Sequence, residues 1–439
     1  MISLALLAAV VLDAATIAQT SATLNALGPH PFGSPRNRVA AEFVEAKLKE
    51  AGLAQTALEE FVFQGEPGAN VVARLQGRTD RLLIIATHHD SRKEAQDVSD
   101  RSRSLSLLIE VGRQAANLRP ARTWILASFD GGESDGQGFA AYLEALGKSK
   151  SLVDGVLLID AALQPASDHA PSLIAPACRS GDDSGGRAIA GRDLVAAALG
   201  GVPASLDFSF ADPGISLLTQ PFIRAFVTPC SPNAATALAA GLGVIMATET
   251  SYSRSFITRP EAITRKEPGP RDTQAARLGE VAFAALQGID GSTPSSPQSD
   301  SWLVAGRGVW PGWLIFVIGL LTLIPGLVAL RSDKARLPFR LAYSVLFAIV
   351  LYFEPEVALF VGLLPNLLPP SVPGRFLGLT FIPLALLVAA GALGFARGQV
   401  TGSWLSIWMW LGLAVGLALL YASAGRGKKS PARARRGKR

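Results

Sequence analysis

Three stretches decide the fold: residues 82–90, LLIIATHHD; residues 123–133, TWILASFDGGE; and residues 156–160, VLLID. Each opens with a short, uninterrupted apolar run and ends abruptly in groups able to ligate or ionise. A run of this length, rich in branched and aromatic residues and bounded by turn residues, reads as a strand buried on both faces. Between the first two, Ser102 to Ala116 has helical periodicity. After the Gly-rich turn at 131–132, Gly138 to Leu146 has it again. Strands alternating with helices predict an α/β fold with a mostly parallel central sheet flanked by helices. In such sheets, ligands gather beyond the carboxyl ends of the strands, so the strand ends are the candidate site.

The pattern extends in both directions. Val39 to Ala51 is an amphipathic helix closed by Gly52, Val71 to Leu75 and Val244 to Thr248 are further strands, and Thr273 to Leu286 is a further helix. The Ser/Pro-rich stretch STPSSPQSD, 292–300, reads as a linker. Beyond it the composition changes, and six of the seven Trp residues lie from Trp302 onward. Residues 309–330 and 402–424 are each long enough to cross a hydrocarbon core of about 30 Å. Trp310 and Trp313 open the first, and Trp404, Trp408 and Trp410 the second, where interfacial anchors belong. Residues 376–396, broken by Pro383, are a third candidate. Residues 341–368 carry Glu354, Pro355 and Glu356 mid-run and read as re-entrant or as a tight hairpin.

The organisation expected is a hydrophobic N-terminal segment at 1–19, a signal peptide or an anchor, and a soluble α/β domain at 20–290. A linker follows at 291–302, then an α-helical transmembrane region at 303–424 and a basic tail at 425–439. The tail carries eight Lys/Arg and no acid, so of the net charge of +6 the remainder of the chain holds −2. The basic balance therefore gives no reason to expect nucleic acid as a partner. Basic segments favour the cytoplasmic side. Placing both the tail and the loop with Arg331, Lys334, Arg336 and Arg340 there requires an odd number of crossings. That puts the soluble domain on the outer face of a multi-pass membrane protein. Cys178 and Cys230 are too few for a disulfide framework; whether they pair is open.

The strand ends hold the chemistry. The first is Thr87-His88-His89-Asp90, the second Asp130-Gly131-Gly132-Glu133 and the third Asp160, with Asp97 and Asp100 at the mouth of a helix between the first two. Imidazole and carboxylate together suit zinc. A carboxylate two residues from His88 could hold its tautomer. His89 points to the opposite face by strand alternation. His30 and His169 sit in polar or Pro-rich loops and read as surface residues. Each acid alone could equally be a helix cap or a solvated turn.

The ordered set resembles metallopeptidase family 28, the co-catalytic zinc aminopeptidases, over most of residues 20–290. GPHPFGSPRNRVAAEFVEAKLKEAGL, NVVARLQG, LLIIATHHDS, SDRSRSLSLLIE, ILASFDGGESDGQGFAAYL and VLLIDAAL follow the family's order. The resemblance implies metal ligands at His88, Asp100, Glu133 and Asp160, with Asp90 behind His88. It also implies departures. The family's general base falls on Gly132, and its last His ligand falls on Pro268, with no His after His169. One zinc site would be complete with His88, Asp100 and Asp160, and the other damaged. Without a base, hydrolysis loses roughly 10²–10⁴-fold; Asp130 and Glu267 are the candidate substitutes.

Three functions follow from the resemblance. The first is a membrane-anchored, aminopeptidase-type metallopeptidase with one zinc. The second is a catalytically inactive relative, with one zinc or none, that binds peptide or a partner subunit at the bilayer. The third is a glutaminyl-cyclase-like acyl transferase.

Overall fold

The structure, a computed structural model, describes residues 11–93, 98–133, 135–160, 171–179, 187–206, 208–210, 231–248, 271–292, 302–305, 308–311, 314 and 317. The chain divides into two compact units. One comprises Met1–Gln220, Thr228–Asp300 and Val304–Val309; the other comprises Pro221–Val227, Ser301–Leu303 and Trp310–Arg439 and lies almost wholly outside the described residues.

The first unit is built on an eight-stranded sheet in the order β1 (Thr56–Phe63), β2 (Glu66–Leu75), β4 (Thr123–Phe129), β3 (Leu82–His88), β5 (Val153–Asp160), β10 (Val244–Thr248), β6 (Ser172–Ile174), β9 (Ser209–Phe210). The four central strands are mutually parallel; β1 on β2, β2 on β4 and β6 on β10 are antiparallel. Every residue of β3 and β4 is buried, as the uninterrupted apolar runs require of strands covered on both faces. β7 (Ala177–Arg179) with β8 (Arg187–Ile189), and β11 (Trp302–Ala305) with β12 (Gly308–Pro311), form two small separate sheets.

Helices α1 (Ala14–Asn25), α2 (Pro35–Glu50), α3 (Ser99–Ala115), α4 (Gln137–Leu146), α5 (Arg192–Gly201), α6 (Pro232–Ala239) and α7 (Arg271–Asp290) complete the described unit. α1 packs on α3 and α7, α5 packs on α7, and α4 packs on α6. α2 starts where local chemistry dictates. The Ser34 hydroxyl accepts the Asn37 N–H at 3.2 Å and Pro35 supplies a preset φ at the first turn. Past its last turn, Gly52 takes φ +98°, open to a residue without Cβ.

Among the elements the sequence did not announce are α1 and β1. α1 falls across the end of the N-terminal segment 1–19. Asp13 caps it, and Ile17, Thr20, Ser21 and Leu24 form its buried stripe. β1 forms a hairpin with β2 around Gln64 and Gly65, at φ 51° and 87°, the two left-handed residues of a type I′ turn. Among the described residues, no helix is long and apolar enough to cross a membrane. The candidate spans 309–330, 341–368, 376–396 and 402–424 lie outside them, save for isolated positions of the first.

Candidate metal centre and its arginine

Parallel pairing of β3, β4 and β5 brings three strand ends together. His88 stands opposite Phe129, one residue before the 130–133 turn, and β5 ends at Asp160. That topology gathers His88, Glu133 and Asp160 from segments far apart in sequence. The Nε2 of His88 is buried with no hydrogen-bond partner and faces Glu133 Oε1 at 3.5 Å, too long for a good hydrogen bond. Asp100 opens α3, and its side chain lies outside what the structure describes, as does Pro268.

The group that joins these acids is a residue the sequence reading passed over. Arg101, one position beyond Asp100, sends its guanidinium between the acids. Nη1 is 3.2 Å from Asp160 Oδ1, and Nη2 pairs with Glu133 Oε1. Arg92 Nε closes the other side of Glu133 at 2.9 Å from Oε2. Burial alone would raise the Glu133 pKa, but the contact with His88 and the Arg101 charge outweigh it and hold the carboxyl well below the usual carboxylate range. The signal for Arg101 was present in the sequence: a long cation on the first turn of the helix that carries Asp100. Nothing local said which way it pointed.

The Asp90 carboxylate accepts the backbone N–H groups of Gly132, at 2.6 Å, and Glu133, at 2.9 Å. It therefore shapes the turn that presents Glu133. Gly132 is pressed against His88: a Cβ built there would lie 2.3 Å from the imidazole Cγ. A side chain at position 132 is thus blocked by the neighbouring ring.

Asp130, one candidate substitute base, faces away. It accepts from Asn37 Nδ2 at 2.7 Å and from Ala69 N at 3.1 Å. Glu267, the other, lies outside the described residues, as do His169 and Cys230. His89 sits on the opposite face from His88, fully buried, with Nδ1 2.9 Å from Ser128 Oγ. Burial pushes its pKa down despite the nearby carboxylates of Asp130 and Asp90. His30, expected at the surface, is wholly buried: its loop folds onto the end of β3, where Ser91 N–H donates to the His30 carbonyl at 3.1 Å.

Residues 70–176 match the model of peptidase family M28. The matched stretch runs from β2 past β6 and contains His88, Asp90, Asp100, Gly132, Glu133 and Asp160. No curated protein matches the chain in sequence. Several solved structures are similar to it. The LapA aminopeptidase of Legionella pneumophila is 14% identical with a TM-score of 0.46, covering 64% of this chain and 72% of its own. The glutaminyl cyclase of Fimbriiglobus ruber is 15% identical with a TM-score of 0.42, over 63% and 95%. An aminopeptidase from Aneurinibacillus sp. strain AM-1 is 13% identical with a TM-score of 0.43, over 68% and 97%.

The M28 match suggests zinc, so the residues present must be tested against it. Among the described residues, His88 offers an unpartnered Nε2, while the facing oxygens of Glu133 and Asp160 are paired with the Arg101 guanidinium. Among the described residues, no three His, Cys, Asp or Glu side chains converge to hold a metal ion. A divalent cation and Arg101 would compete for the same two carboxylates, since like charges at such separations repel strongly in a partly buried site. As arranged, the Arg101 guanidinium lies between Glu133 and Asp160, while Asp100 lies outside what the structure describes.

Proposed function

We propose that this chain is a non-hydrolytic protein built on the zinc-peptidase fold. Arg101 stands where a metal would otherwise neutralise the acids, and the domain binds peptide or a partner subunit instead of cleaving it. The observation that carries the reading is the pairing of one guanidinium with both Glu133 and Asp160. Gly132, closed off by His88, removes the proton acceptor that hydrolysis would need. The region 303–424 would hold the domain at a bilayer, with the basic tail on the cytoplasmic side, as its apolar runs and charge placement suggest.

The test is metal content and turnover of the purified full-length chain, wild type beside Arg101→Ala. The expected result for wild type is no stoichiometric zinc and no release from aminoacyl anilides. A glutaminyl peptide should also give no pyroglutamate above background. Arg101→Ala should take up about one zinc per chain, because it frees Glu133 and Asp160 beside His88. One tightly held zinc in wild type, with peptide hydrolysis abolished by Asp160→Ala, would overturn the proposal. It would instead establish the second reading, a single-metal hydrolase, which the unpartnered Nε2 of His88 favours.

A further inference from the structure

The strands that carry the candidate site at their carboxyl ends also begin together, at the other end of the sheet. Leu82 pairs with Thr123 and with Val153, so the segments leading into β3, β4 and β5 meet there. Arg78 N–H donates to the Pro120 carbonyl at 3.0 Å, and Thr79 N–H to the Ala121 carbonyl at 2.9 Å. Arg81 Nη1 donates to the Ser151 carbonyl at 3.1 Å, in the 3₁₀ turn Gly147–Leu152. Three loops, 76–81, 117–122 and 147–152, therefore form one surface. Six cations stand in them, Arg78, Arg81, Arg119, Arg122, Lys148 and Lys150, against a single acid, Asp80.

These charges sort into two layers. Arg81 and Arg122 turn inward and share Asp154. Arg78, Arg119 and Lys148 are exposed, Lys150 is half-buried, and none of the four forms an ion pair among the described residues. Cations of one sign gathered on one face attract an anionic surface that comes within a screening length, about 8 Å at physiological salt. The chain also leaves the first unit here. Arg122 donates from Nη1 to the Ile289 carbonyl at 2.8 Å and from Nη2 to the Ser292 carbonyl at 2.7 Å. Asp290 accepts Ala121 N–H at 2.7 Å and Arg122 N–H at 2.8 Å. The end of α7 and the start of the Ser/Pro-rich linker are thus pinned to the 117–122 loop. Only residues 293–302 separate Ser292 from the apolar region, at most about 35 Å of chain.

We infer that this end of the sheet is the membrane-facing surface of the first unit, and that its partner is a bilayer carrying anionic phospholipid headgroups. The inference rests on the reading of 303–424 as a bilayer region. A basic cluster close to a membrane segment is drawn to anionic headgroups, with a pull that fades within a screening length. Arg78 and Arg119 supply guanidinium forks for phosphate oxygens, and Lys148 and Lys150 supply point charges beside them. The short, pinned exit keeps this end of the domain, and not another, near the lipid. β3, β4 and β5 run from here to the ends that carry His88, the 130–133 turn and Asp160. The candidate site therefore opens away from the bilayer, toward soluble peptide or protein.

The experiment is amide exchange of the full-length chain in two kinds of lipid nanodisc, one of phosphatidylcholine alone and one of an equal mixture of phosphatidylcholine and phosphatidylglycerol. Peptides covering 76–81 and 147–152 should exchange at least threefold more slowly in the anionic discs. Peptides covering 89–93 and 130–133, at the far end of the sheet, should exchange alike in both. Salt at about 1 M, which shortens the screening length to about 3 Å, should remove the difference. So should Arg78→Glu combined with Lys148→Glu, at exposed positions where the melting temperature should not change. Equal exchange in the two discs overturns the inference and leaves the bilayer reading standing. Slowing at 89–93 and 130–133 instead also overturns it, because the domain would then rest on its site face. A chain that elutes free of lipid overturns both the inference and the bilayer reading. None of these results touches the Arg101 reading, which metal content decides.

Discussion

At the scale of single residues, the site turns on which side chains can occupy the turn after β4. Gly132 is held by its N–H to Asp90 and roofed by the His88 ring. A side chain there must push the imidazole out of the way, and buried close contacts of this kind cost about 1–3 kcal/mol. Gly132→Glu, which restores the family's base on paper, is therefore expected to lower the melting temperature by several degrees and to leave peptide hydrolysis at background. A thermal melt and an anilide assay on the same preparation check both halves; appearance of turnover would show that His88 can yield. Gly131, at φ +64°, belongs to the same turn and needs its glycine for conformational reasons. The dipeptide was legible as a turn in the sequence. The ring against it was not, because His88 is 44 residues earlier in the chain.

At the scale of elements, α1 shows what a one-sided reading of an apolar segment misses. Its mean character is mild, and the run before it suggested a signal peptide or an anchor. Yet its stripe of Ile17, Thr20, Ser21 and Leu24 is buried against α3 and α7. Four residues at helical spacing with two hydroxyls among them give a weak periodic signal, and only the partner helices reveal that the stripe is a packing face. Ile17 and Leu24 are fully buried. Ile17→Ala is expected to destabilise the first unit by about 2–4 kcal/mol through a cavity at the α1–α3 contact. Denaturant unfolding should show it as a lowered midpoint at unchanged slope. A difference below about 0.5 kcal/mol would mean that α1 is an appendage.

At the scale of the whole molecule, the end of the sheet remote from the candidate site is tied by charge. Asp154 on β5 pairs with Arg81 and, at 2.6 Å, with Arg122; Arg122 also donates to the carbonyls of Ile289, Asp290 and Ser292 at the end of α7. Asp290 returns the connection by accepting from Ala121 N, Arg122 N and Trp124 Nε1. Burial opposes ionisation of Asp154, but the hydrogen bonds from Arg81 and Arg122 prevail, and its pKa lies below the ordinary value. A depressed carboxyl pKa contributes stability that is fully present above the unfolded-state value of about 3.9 and is lost as pH falls through the folded value. Wild type should thus exceed Asp154→Asn in melting temperature at pH 7, and the gap should close as the pH drops below about 4. A gap independent of pH would place the role of Asp154 in shape, not charge.

The sequence by itself determined the parallel core and the strand ends that matter. Uninterrupted apolar runs ending in His88, in Asp130 to Glu133 and in Asp160 report burial on both faces, and burial is a local, additive property of composition. It also showed that Gly132 cannot be a base. What only the tertiary structure decided is the sign of the centre. Arg101, Glu133 and Asp160 come from three segments, and whether a cation on the first turn of α3 faces solvent or two carboxylates depends on the packing of that helix over β3 and β5. The bond from Asn37 Nδ2 to Asp130, which leaves Asn37 Oδ1 without a partner, is of the same kind. It exists only once α2 and the end of β4 are brought together, because hydrogen-bond balance is a property of neighbours in space and not of neighbours along the chain.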